Sequence, residues 1–95
     1  MLSRIPIYLE KISKKDLDKE ILRVGIIAEL DAISLYEQMA AKSQNEDIKK
    51  VLLDIAKEEK THAGEFMTML LREDTEQGKE LEKGKKEIEE LTGRK

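Results

Sequence analysis

The sequence predicts an all-α protein: an antiparallel two-helix hairpin followed by a short C-terminal helix, with two hairpins pairing into a four-helix bundle. Three observations lead there. Charged residues make up 41% of the 95 residues, aromatics 3%, and proline occurs once, at Pro6; such a composition favours long helices with charged surfaces. Apolar residues recur at helical spacing along two long stretches, one running through Leu22, Ile26, Ile33, Tyr36 and Ala40, the other through Ile48, Leu52, Ile55, Phe66 and Leu70. A lone hairpin has one apolar face and nothing to cover it, so the chain needs a partner, most simply a second copy.

The elements follow in order. Residues 1–11 read as an arm, because Ile5-Pro6-Ile7-Tyr8-Leu9 is too short and too broken for a helix of its own. Ser13-Lys14-Lys15-Asp16 resembles a capping box, with Asp16 in place of the usual Glu, between Ile12 and Leu17 at staple positions. The first helix is then placed at 14–42, roughly 40 Å long at 1.5 Å per residue. Ser43-Gln44-Asn45-Glu46-Asp47 is a turn in which Asn45 can cap the next helix, with Glu46 and Asp47 in the first turn where the dipole favours negative charge. So short a connection makes the two helices antiparallel neighbours. The second helix is placed at 46–72. Asp74-Thr75-Glu76-Gln77 is a further cap, and a weaker helix follows at 75–91, with Gly78 and Gly84 inside it and only Leu81, Ile88 and Leu91 as its apolar seam. The end, Thr92 to Lys95, is expected to fray. The whole, 1–95, is read as one domain, with 14–73 as the hairpin core and 74–95 as the C-terminal helix and tail.

Composition excludes several function classes. The net charge is −3, with Lys and Glu interspersed and no basic block, so nucleic acid is not an expected partner. Cysteine is absent, which removes disulfides and thiolate chemistry. No long apolar run or signal-peptide pattern opens the chain, so a cytoplasmic protein with no membrane partner is the expectation.

The two stripes each contain ionisable residues. Glu29 interrupts the first, and Glu59 and His62 interrupt the second. A charge on a core stripe costs several kcal/mol unless it is paired or binds a metal. Glu59 and His62 are three apart and project from one face, one turn from each other. A Glu-x-x-His pair on one helix with an inward Glu on another is half of a di-iron carboxylate site. Two hairpins face to face would present four carboxylates and two imidazoles, enough for two iron ions shared between subunits. Carboxylate and imidazole suit iron, whereas structural zinc and iron–sulfur sites use thiolate. Glu59, close to its symmetry mate, is the candidate bridge; Glu29 and His62 are candidate terminal ligands. Tyr36 follows Glu29 by two turns on the same face, where it can hydrogen-bond a ligand, touch the metal, donate an electron or simply pack. Gly25, one turn before Glu29, reads either as close helix approach or as tolerated slack. Glu37, Glu58 and Glu65 fall off the stripes and read as solvated or intersubunit groups.

The stretches Ile26-Ile27-Ala28-Glu29-Leu30-Asp31-Ala32-Ile33-Ser34-Leu35-Tyr36-Glu37-Gln38 and Ile55-Ala56-Lys57-Glu58-Glu59-Lys60-Thr61-His62-Ala63-Gly64-Glu65-Phe66 resemble those of the encapsulated ferritins, within the ferritin-like superfamily. The resemblance covers both long helices and reaches the third. It implies a half-ferritin chain that pairs into a ferritin-like four-helix bundle, with a ferroxidase centre between subunits. It further implies a ring of dimers, typically a decamer, which oxidises ferrous iron but has no closed cavity to hold the product. An encapsulin nanocompartment, whose shell protein is then a partner, would surround the ring and store the ferric mineral. Carried over residue by residue, Glu29, Glu59 and His62 become iron ligands and Tyr36 lies at the metal centre. Asp31 becomes a candidate ligand of an outer site through which iron enters, although Ala28 stands where some members have a further acid. The end at Leu91-Thr92-Gly93-Arg94-Lys95 carries no obvious apolar shell-targeting tail, which leaves two readings: a departure from the cargo pattern, or one domain of a longer fusion to the shell protein.

Two other readings compete. One is a metal-free helical module that oligomerises, with Glu29, Glu59 and His62 in buried pairs. The other is a rubrerythrin-like di-iron peroxidase, which commonly relies on a four-cysteine iron site for electron delivery.

Overall fold

The computed structural model describes residues 8–95. A 3-10 turn, Leu9–Lys11, precedes three helices: α1, Lys14–Lys42; α2, Glu46–Glu73; and α3, Thr75–Thr92. No strand occurs among the described residues. The all-helical fold class predicted from composition and periodicity is therefore the one observed, and the last two helices each run one residue beyond their predicted ends.

Each boundary has a local cause. Residues 1–7 of the expected arm lie outside the described residues; past them the chain turns once, with the Lys11 N–H donating to the Tyr8 carbonyl at 3.0 Å. At the start of α1 the capping box does not form. The Ser13 hydroxyl donates to the Asp16 carboxylate at 3.1 Å and caps no backbone N–H. Asp16 is one methylene shorter than the Glu such a box requires, and it meets the hydroxyl instead of reaching back to the Ser13 N–H. Asn45 does cap α2: its side-chain oxygen accepts from the N–H groups of Asp47 at 2.9 Å and Ile48 at 3.1 Å. Three residues separate α1 from α2, and the helices pack antiparallel. At the far end α3 stops at Thr92, and residues 93–95 of the stretch expected to fray lie beyond the helix, exposed. Gly93 adopts φ 70°, ψ 14°, and its N–H donates to the Glu89 carbonyl at 2.8 Å, the left-handed stop that glycine makes without a Cβ penalty.

Asp74 alone separates α2 from α3. Its carboxylate accepts from the Gln77 N–H at 3.1 Å, capping α3, and from the Arg23 guanidinium of α1 at 3.0 Å. The Gln77 N–H is the main cause that holds this carboxyl below its ordinary value of 3.8; the Arg23 hydrogen bond and the charges of Lys19 and Arg23 add to it, against a smaller upward push from burial. A depressed carboxyl stabilises the fold above its unfolded value, and that contribution is lost as pH falls through the folded one. In an Arg23→Ala variant, the Asp74 carboxyl midpoint measured by NMR titration should rise toward 3.8 but stop short of it, because the Gln77 N–H remains.

The hairpin leaves much of its surface uncovered. Among the described residues only Ala40, Ala56 and Leu70 are buried apolar side chains, while Ile27, Leu30, Ile48, Val51 and Leu53 stand exposed. Ile48 was expected on the buried stripe; it lies in the first turn of α2, at the end of the hairpin. Among the described residues the third helix packs only on α2, and Leu91 near its end is 82% exposed. The molecule measures 46 × 44 × 19 Å. It exposes 7719 Å², against about 5,600 Å² for a compact monomer of its mass. No helix among the described residues is long and apolar enough to cross a membrane.

Candidate metal centre

Glu29 lies near the middle of α1, and Glu59 and His62 lie one turn apart near the middle of α2. Antiparallel packing sets them opposite each other. His62 Nδ1 is 3.6 Å from Glu29 Oε2 and 3.5 Å from Glu59 Oε2. One candidate ligand atom from each residue falls within 4.8 Å of the other two. The carboxylates form the floor of this cluster, with side chains 17% and 20% exposed, and the imidazole stands at its rim, 47% exposed.

The floor is chemically incomplete. Glu29 Oε2 is buried and accepts no hydrogen bond. A buried acceptor without a partner costs about 1–3 kcal/mol, more when charged. A cation between the three side chains would remove that cost, and two oxygens with one nitrogen suit iron, zinc or manganese. The half-exposed imidazole leaves one side of the cluster open.

The remaining candidates sit differently. Tyr36 is half-buried on the same stripe as Glu29. Asp31 is two residues along α1 from Glu29, on the other side of the helix; it is 6% exposed, has an interaction of its own and is not part of the cluster. Glu37, read as a solvated or intersubunit group, is exposed as the first of these expects and also pairs with Lys60 of the same chain at 3.1 Å, linking α1 to α2. That pair was missed because a Lys in a chain so rich in Lys carries no signal until the register between helices is known.

A family model described as Rubrerythrin matches residues 20–94, a span that contains both long helices and the cluster. The chain belongs to the rubrerythrin family. Within it, this rubrerythrin-family chain is 62% identical over 74 residues to the ferritin-like-encapsulin shell fusion protein of Pyrococcus furiosus, covering 78% of the chain but 21% of that protein. It is 39% identical over 69 residues to the encapsulin nanocompartment cargo protein EncC of Myxococcus xanthus, covering 70% of the chain and 53% of that protein. The chain therefore spans about a fifth of one relative and about half of the other. The crystal structure of the encapsulated ferritin domain from Pyrococcus furiosus superposes with a TM-score of 0.84 at 55% identity, over 98% of this chain and 97% of that one. The hairpin with a third helix is thus an encapsulated-ferritin fold, as the resemblance in its two long stretches implied.

Proposed function

We propose that this chain is a ferroxidase, oxidising Fe(II) to Fe(III) at a di-iron centre formed where two copies meet. The observation that carries the reading is the cluster of Glu29, Glu59 and His62, with a buried carboxylate oxygen that accepts no hydrogen bond. Three ligands from one chain are half of what a di-iron carboxylate site requires, and a second copy supplies the other half. The surplus surface and the exposed apolar residues of the hairpin support such pairing.

In this reading the substrate is ferrous iron. Glu29 and Glu59 bind it through hard oxygens that tolerate both oxidation states, and His62 binds through neutral imidazole nitrogen. A pair of ferrous ions yields two electrons, which with two protons reduce dioxygen to hydrogen peroxide. Tyr36, two turns along α1 on the same stripe, is the candidate to hydrogen-bond a ligand, touch the metal or donate an electron. The chain handles the ferric product within an encapsulin nanocompartment in the cytoplasm, as a ring of dimers, and the shell stores the mineral. The relatives named for encapsulin support the association with a shell; the ring of dimers and the stored mineral are what the family resemblance implies. Asp31, 6% exposed in the single chain, is the candidate ligand of an outer site through which iron enters.

Ferrous iron added anaerobically to metal-free protein, followed by air, tests the proposal. Ferric absorbance should grow faster than in buffer and saturate at about one iron per chain, with a rise in oligomer size. Oxidation at the buffer rate would overturn it. The family also holds peroxidases, so hydrogen peroxide is the second oxidant to compare; a preference for it would favour that chemistry over ferroxidase.

A further inference from the structure

Four glycines lie inside the helices, and only one of them is crowded by another side chain. A Cβ built on Gly64 or Gly84 would meet nothing within 4 Å, and one on Gly78 would make an ordinary 3.9 Å contact with a Leu71 methyl. A Cβ on Gly25 would lie 3.2 Å from Cδ2 and Cε2 of Phe66 and 3.3 Å from its Cδ1. The three distances are nearly equal, so the face of the ring meets the glycine. Phe66 is the chain's single phenylalanine. Gly25 is one turn before Glu29 on α1, and Phe66 is one turn after His62 on α2. The helices run antiparallel, so this contact is the layer directly beside the one in which Glu29 faces His62 at 3.6 Å.

We infer that Gly25 and Phe66 are positioning residues for the metal centre: the ring seated on the bare glycine backbone sets how far apart α1 and α2 stand where Glu29 must meet Glu59 and His62. The inference rests on the ferroxidase reading of that cluster and adds to it the device that fixes its width. Ligand distances in a metal site tolerate about 0.2 Å of error, and a functional constellation must be held to within about 0.5 Å. A methyl on Gly25 at 3.2 Å from the ring forces the ring or the helices to yield by a similar amount. The same methyl raises helix propensity. The substitution therefore separates two roles that usually fall together, stability and site geometry.

The test is Co(II) binding to the metal-free full chain, read from the cobalt d–d absorption bands and from the affinity, beside urea unfolding of the same samples without metal. Gly25→Ala should weaken cobalt binding about tenfold or more, the scale seen when a group supporting metal ligands is disturbed, and alter the absorption bands, with no loss of unfolding free energy. Gly25→Ala with Phe66→Leu moves volume from one side of the contact to the other and should recover most of the affinity. Gly84→Ala, in open space, should leave cobalt binding unchanged. Wild-type binding matched by Gly25→Ala overturns the positioning role and leaves the metal centre standing. A loss of affinity that only tracks a loss of stability, or that the double variant does not relieve, also overturns it. Failure of the wild-type chain to bind cobalt or oxidise iron removes the metal reading and the positioning role with it.

Discussion

Replacing His62 or Glu59 with alanine should bring ferrous oxidation down to the buffer rate, a loss well above 100-fold. The size follows from what each residue supplies. Disturbing a group that merely orients a ligand costs 10–100-fold in metal affinity or activity, and removing the ligand itself costs more. In a site shared by two copies each substitution deletes two ligands at once. Because His62 is 47% exposed and forms no part of the buried apolar core, His62→Ala should leave the helical circular dichroism and metal-free unfolding close to those of the parent. Stopped-flow absorbance of the ferric product, with unfolding measured alongside, checks both halves. Unchanged oxidation rates in both variants would remove the site assignment.

The second large effect has opposite signs with and without metal. Glu29→Leu should stabilise the metal-free chain and abolish its stabilisation by metal. One of its carboxylate oxygens is buried without a hydrogen-bond partner, a liability of about 1–3 kcal/mol that leucine removes while extending the apolar stripe. A metal that binds only the folded state adds about 2.7 kcal/mol at a hundredfold excess over its Kd, and the leucine variant forfeits this. Urea unfolding with a chelator and then with saturating Mn(II) should show the two chains exchanging order of stability. If Glu29→Leu destabilises the metal-free chain, the carboxylate has a structural pairing that outweighs its burial, and the metal-free module becomes the better reading.

Much of the helical frame was legible residue by residue. Asn45 and Asp74 announced the starts of α2 and α3, because an N-cap acts on N–H groups two or three residues away and needs nothing distant. Gly93 ended α3 for a reason equally local. The apolar stripes, with Glu29, Glu59 and His62 upon them, were likewise visible, since a helix of known pitch converts spacing into direction.

What spacing could not supply is the distance between one helix and the next. Ile48 lies on the predicted stripe yet stands exposed, because a stripe is a property of one helix and burial needs a second surface facing it. Asp31 is buried and Glu37 is paired to Lys60, neither of which follows from position along α1. Arg23 reaches Asp74 across 51 residues, beyond any local rule.

By itself the sequence determined the helices, their caps and the face on which each ionisable side chain stands, because these depend on backbone chemistry within a turn or two. Tertiary structure decided that the three side chains converge within 4.8 Å and that one carboxylate oxygen is left buried without a hydrogen bond. The close approach of Phe66 to Gly25 was equally out of reach of spacing, because packing at such a contact is a property of two helices together.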